Sequence, residues 1–408
     1  MNASSFISKR IFSLSKDNLS STVMRIAVVS VALGVAVMLI SIAVVVGFKN
    51  QIKEKVVGFV SPIQIQALNQ NESVEEKPFV YDSVLASRLD KPFVKSVQKS
   101  ANKAGILKTD DEIHAVVLRG VDYDYCWDYL SSCLVSGEVP QYEENQRSND
   151  IVISKTIADK MMIGVGDPVR IWFVDNEMKA RGRKFEVKGV YDSGLSDCDE
   201  RFIYCDLNQI RKLNGWENNE VGHLEVWIDD DDVDYISSCN REIYFSIPTH
   251  LISYTAMESY PQIFDWLQLQ DMNVVIIIAL MVLVAGITII SMLLIIILEK
   301  TSAIGLLKAL GASNGLVRSI FLKRSLNILL LGMLIGNVLG VGLSLIQKYT
   351  DIITLSPESY YLSSVPIELN VWYIILLNGG TMLLWIVMLI VPTMMINSIN
   401  PSKSIRFE

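Results

Sequence analysis

Three histidines, five cysteines and one run of aspartates are the residues of this 408-residue chain whose types could hold a metal or perform covalent chemistry. His114, His223 and His250 are scattered, with no HExxH or Cys/His spacing, so they read as structural or surface residues and no metal is assigned. The run Asp229 to Asp232 with Asp234 has the charge for calcium, but the glycine and the distal bidentate glutamate of a calcium loop are missing at their offsets. It reads instead as a solvated strand-to-helix turn with a helix N-cap. There is no GxSxG elbow, no Ser/Lys pair, and no GxxxxGK[ST] loop whose backbone amides would cradle phosphates. Any ATP-driven work would draw its energy from a partner, and no cofactor is assigned to this chain.

Two other patterns are better defined. In Glu299-Lys300-Thr301-Ser302-Ala303-Ile304-Gly305-Leu306-Leu307-Lys308-Ala309-Leu310-Gly311, the apolar residues Ile304, Leu307 and Leu310 recur at helical spacing, and Gly311 can supply the left-handed stop. That spacing predicts a short amphipathic helix. Gly305 would let another backbone approach, while Glu299, Lys300 and Lys308 offer polar contacts; such a helix can lie on lipid or dock on a partner. Gly332, Gly336 and Gly340 stand at i, i+4 and i+8, so three glycines share one helix face and predict close helix packing, within the chain or between subunits.

The elements that position these residues follow from hydropathy. The chain is 50% hydrophobic with a mean hydropathy of +0.35, yet 20% charged, so it contains sequence for two solvents. Crossing hydrocarbon as a helix takes about 20 apolar residues, and Ile26–Val46, Val274–Leu298, Leu326–Ile346 and Val371–Ile396 each run that long without a charge. The first stretch is longer than a signal-peptide core and lacks a small-residue cleavage pattern, so it is expected to remain as an anchor. Pro392 is expected to kink or end the fourth span.

Lys and Arg mark the cytoplasmic side. Lys9, Arg10, Lys16 and Arg25 precede the first span, Lys300, Lys308, Arg318, Lys323 and Arg324 lie between the second and third, and Lys403 and Arg406 follow the fourth. The expected layout is a cytoplasmic segment 1–25, a first span 26–47, an extracytoplasmic domain 48–272, a second span 273–298, a cytoplasmic loop 299–324, a third span 325–346, an outer loop 347–370, a fourth span 371–396 and a cytoplasmic tail 397–408. Residues 48–272 hold 24 basic and 38 acidic side chains. That balance argues against nucleic acid or anionic lipid surfaces as partners and is compatible with basic or apolar cargo.

All five cysteines, Cys126, Cys133, Cys198, Cys205 and Cys239, fall in this outer domain, where disulfides and buried thiols are both open. Strands are predicted at Ile63–Gln66, His114–Leu118, Ile151–Ile153, Val169–Val174, Phe185–Val190 and Leu224–Ile228. Helices are predicted at Asp82–Ala104, Lys155–Met162, Leu207–Leu213, Val233–Cys239 and Ala256–Gln270, the last running stiffly into the second span. The expected fold is therefore membrane α-helical, with four transmembrane helices and a large α+β extracytoplasmic domain.

The segment Glu299-Lys300, Ile304-Gly305, Leu307 to Ser313 resembles the cytoplasmic segment of FtsX/MacB-type ABC permeases, and the ending Asn400 to Glu408 is similar to that superfamily's. Gly47-Phe48-Lys49, the stretch Phe185 to Leu195 with Asp199, and Tyr360 to Pro366 resemble the lipoprotein-releasing LolC/LolE branch, with its MacB-like periplasmic core. The likeness runs over almost the whole chain. It implies a non-catalytic permease in a bacterial inner membrane, both termini cytoplasmic, paired with a second permease or an identical copy and with two copies of an ABC ATPase that carries the ATP and magnesium.

In such a permease the short helix is the coupling helix, seated in the ATPase through Glu299, Lys300, Ile304, Gly305, Lys308 and Gly311. Lipoprotein cargo would meet a cavity between the first and second spans, with Val35, Leu39, Ile42, Val46, Ile276 and Leu280 as lipid contacts, or as ordinary bilayer-facing residues. A periplasmic lipoprotein carrier is a further implied partner. The connection Asp175 to Lys184, where the LolC-type docking hook would fall, is short, charged and without proline, which points to a LolE-like or homodimeric role. Two alternatives share the superfamily: MacB-like efflux, and an FtsX-like scaffold activating a cell-wall hydrolase.

Overall fold

Among the described residues, four helices are long and apolar enough to cross a membrane. They are α1 (Asn18–Val60), α9 (Pro261–Glu299), α11 (Asn314–Thr350) and α12 (Val371–Met394). The computed structural model describes residues 18–68, 75–109, 112–144, 146–174, 180–230, 232–356 and 360–394. Most of the expected 1–25 segment, the 397–408 tail, Asp231 and the first half of the Asp175–Lys184 connection therefore lie outside the described residues. The chain forms two compact units. The first takes the described residues up to Lys49, Trp266–Thr354 and those from Ser364 onward; the second takes Asn50–Asp265 and Leu355–Ser363.

Within the membrane unit, a short helix α10 (Thr301–Ala309) follows α9 after a break at Lys300, and Ser313 caps α11 by accepting from the Leu316 amide at 3.3 Å. Pro392 lies inside α12, which continues to Met394. The core of this unit is apolar and contributed by all four long helices, with Val31, Val35, Ile289, Leu293, Leu329 and Trp385 among its buried members. Trp385 donates its indole hydrogen to the Val282 carbonyl at 3.2 Å, linking α12 to α9.

The second unit is α+β. Its strands are β1 (Ile63–Ala67), β2 (Phe79–Val80), β3 (Val94–Lys108), β4 (Ile113–Val121), β5 (Leu134–Gly137), β6 (Asp150–Ser154), β7 (Pro168–Val174), β8 (Ala180–Tyr191), β9 (Phe202–Asp206), β10 (Glu220–Val221), β11 (His223–Ile228) and β12 (Leu251–Thr255). Ten of them form one sheet in the order β12-β1-β11-β3-β4-β9-β6-β8-β5, with β7 pairing both β3 and β8, and β10 pairs β2 separately. Most pairings are antiparallel; β4–β9 and β6–β8 are parallel. The helices α2 (Ser83–Leu89), α3 (Asp128–Ser132), α4 (Lys155–Met161), α5 (Ser196–Asp199), α6 (Leu207–Asn214), α7 (Val233–Ser246) and α8 (Ala256–Ser259) fill the connections. The aspartate run ends in the N-cap of α7, where Asp232 accepts from the amides of Asp234 and Tyr235.

Two helix expectations are corrected. Asp82–Ala104 is not one helix, because α2 stops at Leu89 ahead of Pro92 and the chain then runs as the long strand β3. The strand was masked by inward-facing polar residues: Ser100 and Lys103 are buried, bonded to Glu225 at 2.8 Å and Glu75 at 2.8 Å, so the usual apolar alternation is absent. Ala256–Gln270 is also divided. α8 opens with a Thr255–Glu258 capping box and ends at Ser259, and α9 starts at Pro261, whose fixed φ suits a first helical position.

Candidate functional site

The structure sorts the α10 residues into two faces. Ile304 and Gly305 are buried, Ile304 to 1% exposure, and belong to the packing of the membrane unit. Glu299 and Lys300 pair with each other at 2.9 Å, and Gly311 sits at φ +90°, in the left-handed region that closes the helix. The residues presented outward are Leu306 at 57% and Leu310 at 77% exposure. Leu310 was read from periodicity as part of an apolar face without a direction, and Leu306 was not singled out. Leu306 on the helix and Leu310 at its C-cap, with Lys308 between them in sequence, leave exposed apolar surface at this end of α10.

The glycine face of α11 packs against α1 inside the chain. A methyl group built on Gly336 would stand 2.6 Å from the Ala32 carbonyl oxygen and 2.8 Å from Val35 Cβ; at Gly332 it would meet Val31 Cβ at 2.7 Å, and at Gly340 Ala36 Cα at 3.2 Å. The backbones therefore approach as closely as glycine alone allows. Val35 and Leu39, placed by sequence among lipid contacts, are buried here at 0% and 2% exposure. Ile42 is half-buried, sharing with Leu39, Ala43, Tyr373 and Leu377 a cavity of about 10 Å³, room for one water and far too small for an acyl chain. Val46 is half-buried, while Ile276 and Leu280 on α9 are 50% and 54% exposed. Within one chain the six do not share a surface.

In the outer unit the chemistry of the core is ionic. Arg119 on β4 meets Glu225 on β11 at 2.6 Å with both side chains almost fully buried, and its Nη1 donates to the Phe59 carbonyl at 2.7 Å, satisfying an orphan carbonyl at the end of α1. His223 stands beside Glu225 and 2.8 Å from Glu76. Burial alone would raise the Glu225 carboxyl, yet Arg119 and His223 hold it down to about 2; burial alone would lower His223, yet Glu76 and Glu225 lift it to about 9. No sequence signal marked this cluster, because its members come from four separate segments and follow no motif spacing. All five cysteines are free thiols. Asp199 orders the turn after β8, its Oδ1 accepting from the Ser193 hydroxyl at 2.7 Å and its Oδ2 from the Gly194 amide at 3.1 Å. Burial pushes the Asp199 carboxyl up to about 6, against the pull of those bonds.

Two family profiles match this architecture. The one described as MacB-like periplasmic core domain covers residues 25–237, just over half of the chain, and the one described as FtsX-like permease C-terminal covers residues 275–401. The chain belongs to the FtsX-like permeases with a MacB-like periplasmic core domain. Among curated relatives of this permease family, it is similar to the lipoprotein-releasing system transmembrane protein LolE of Haemophilus influenzae, 21% identical over 87% of each chain. It is also similar to the transmembrane protein LolC of Xylella fastidiosa, 19% identical over 96% of each. The macrolide export ATP-binding/permease protein MacB of Bdellovibrio bacteriovorus is 25% identical over 53% of this chain but only 34% of that protein. In this permease the FtsX-like profile takes in α10, the α11 glycines and α12, and the periplasmic-core profile takes in α1 together with β1 to β11.

Proposed function

We propose that the chain is the transmembrane permease of a lipoprotein-releasing ABC system. The observation that carries this reading is length: relatives named for lipoprotein release align with most of this chain, at 87% and 96% of their own lengths. A separate ABC ATPase, in two copies, would bind the outward leucines of α10 and supply ATP and magnesium, since the chain has no phosphate-cradling loop of its own. A second permease or an identical copy would complete the α1/α9 surface on which Ile276 and Leu280 are exposed, and lipoprotein acyl chains would be held there. The membrane is then the bacterial inner membrane, with both termini cytoplasmic and a periplasmic carrier as a further partner. Depleting the protein should leave outer-membrane lipoproteins in the inner membrane, as read by fractionation and immunoblotting; normal sorting would sink the proposal. A second reading, efflux of a small apolar compound, is favoured by the 25% identity to the macrolide exporter. It requires drug sensitivity on depletion with lipoprotein sorting intact.

A further inference from the structure

Lys55 lies in the last turns of α1, where two stretches of the outer unit that are remote in sequence come together. One is the turn Asp192–Asp199 after β8; the other is the described part of the connection between α11 and α12 that belongs to this unit, residues 355–356 and 360–363, called the tip below. Lys55 Nζ donates to the Tyr361 carbonyl at 3.0 Å, and it fills the space beside Gly194 that any side chain there would need. Gly194 is left-handed, at φ +70°, so both its conformation and its emptiness serve the contact. From the other side, the Tyr361 hydroxyl donates to Asp197 Oδ2 at 3.3 Å. Tyr361 itself is held at φ +58°, a conformation that a non-glycine residue adopts at a cost. Beside it, the Leu355 amide donates to the Ser363 carbonyl at 2.9 Å and the Tyr360 amide to the Ser356 carbonyl at 3.1 Å.

A lysine at a helix end is ordinarily solvated, with its charge in water. Here burial lowers the Lys55 ammonium's affinity for its proton, while Cys133, Asp192 and Asp199 pull the other way. The cation is thus drawn into the protein, bonded to a carbonyl of one segment and attracted by the carboxylates of the other. Two segments converge on it: the tip through the Tyr361 carbonyl, and the Asp199-ordered turn through the space left at Gly194.

We infer that Lys55 is a positioning residue that seats the tip of the α11–α12 connection on the Asp192–Asp199 turn, so that the end of α1, the turn and the tip move as one body. This deepens the permease reading by naming where motion of α1 would be passed to the outer unit, and it rests on that reading only for the purpose of the motion. The seating itself is a property of the chain alone.

Hydrogen–deuterium exchange of the full-length protein in detergent tests it. Lys55→Met should raise amide exchange at least tenfold in peptides covering 192–199 and 355–363 together, with β6 and β9 unchanged, and Lys55→Arg should return both segments to within about threefold of wild type. Unchanged exchange in Lys55→Met, loosening of one segment alone, or equal loosening of β6 and β9 would each overturn the inference. Lipoprotein sorting in depleted cells is read separately, so a failed transport reading leaves the exchange result standing, and the reverse.

Discussion

Asn337 and Asn378 exchange two side-chain hydrogen bonds across α11 and α12, each Nδ2 donating to the other's Oδ1, at 2.7 and 2.8 Å. Each amide also donates back to its own helix, to the Met333 and Ile374 carbonyls at 2.8 Å. In a span without water, a single Asn337→Leu or Asn378→Leu leaves one amide half-satisfied, and the double replacement leaves none. A double-mutant cycle read by unfolding in detergent should therefore give a coupling of about 0.6–1.7 kcal/mol, with the double variant recovering part of the loss. Strictly additive losses would show that the pair does not act as a unit.

The α1–α11 seam sets a sharper test. A Cβ at position 336 would press on the Ala32 backbone at 2.6 Å, which cannot yield as a side chain can. Gly336→Ala should cost about 1–3 kcal/mol, visible as a lowered Tm in detergent. Gly342→Ala, with nothing within 4 Å of its added methyl, should leave Tm unchanged.

The buried ionic cluster predicts a pH slope. His223 stands at about 9 when folded against an ordinary 6.5, so its contribution to stability is complete below about 6.5 and is lost as pH rises through 9. Glu225, held near 2 against an ordinary 4.5, contributes above 4.5 and loses that contribution as pH falls through 2. The Tm of the protein should fall between pH 7 and 9.5, and His223→Gln should flatten that fall. Arg119→Met leaves the buried Glu225 with His223 alone and the Phe59 carbonyl without its donor, and should cost about 3–5 kcal/mol; a loss under about 1 kcal/mol would mean that the pair is dispensable.

Leu306→Asp and Leu310→Asp test the proposed ATPase contact. Both leucines are exposed, so membrane levels and Tm should hold, while an ABC ATPase should no longer co-purify. Co-purification undiminished in the double variant would place the ATPase elsewhere.

The four spans were legible because length and the absence of charge are one-dimensional signals that a membrane imposes. Strand β3 was not, since Ser100 and Lys103 point inward to partners on β11 and beside Glu76, and nothing local in the sequence announces a remote counter-charge. The α11 glycines were legible as a face, but not as a face turned toward α1. The same limit misplaced Val35 and Leu39, because valine and leucine have the same composition signature against lipid as against another helix. The direction of α10 was illegible for a related reason: Ile304 and Leu310 are both apolar, and periodicity does not say which of two apolar flanks is covered.

Helix α1 has no break anywhere from Asn18 to Val60, and Lys55 and the Phe59 carbonyl that accepts from Arg119 both lie near its far end. An unbroken α-helix fixes phase as well as length, since each residue adds about 1.5 Å and about 100° of turn. Inserting one residue between Lys55 and Phe59 would set the ammonium and the Phe59 carbonyl about a quarter-turn out of step with their partners, whereas inserting seven, close to two whole turns, would nearly restore their common heading. Indel tolerance along this stretch should therefore oscillate with the helical repeat, a constraint on the gene that no single-residue substitution would reveal.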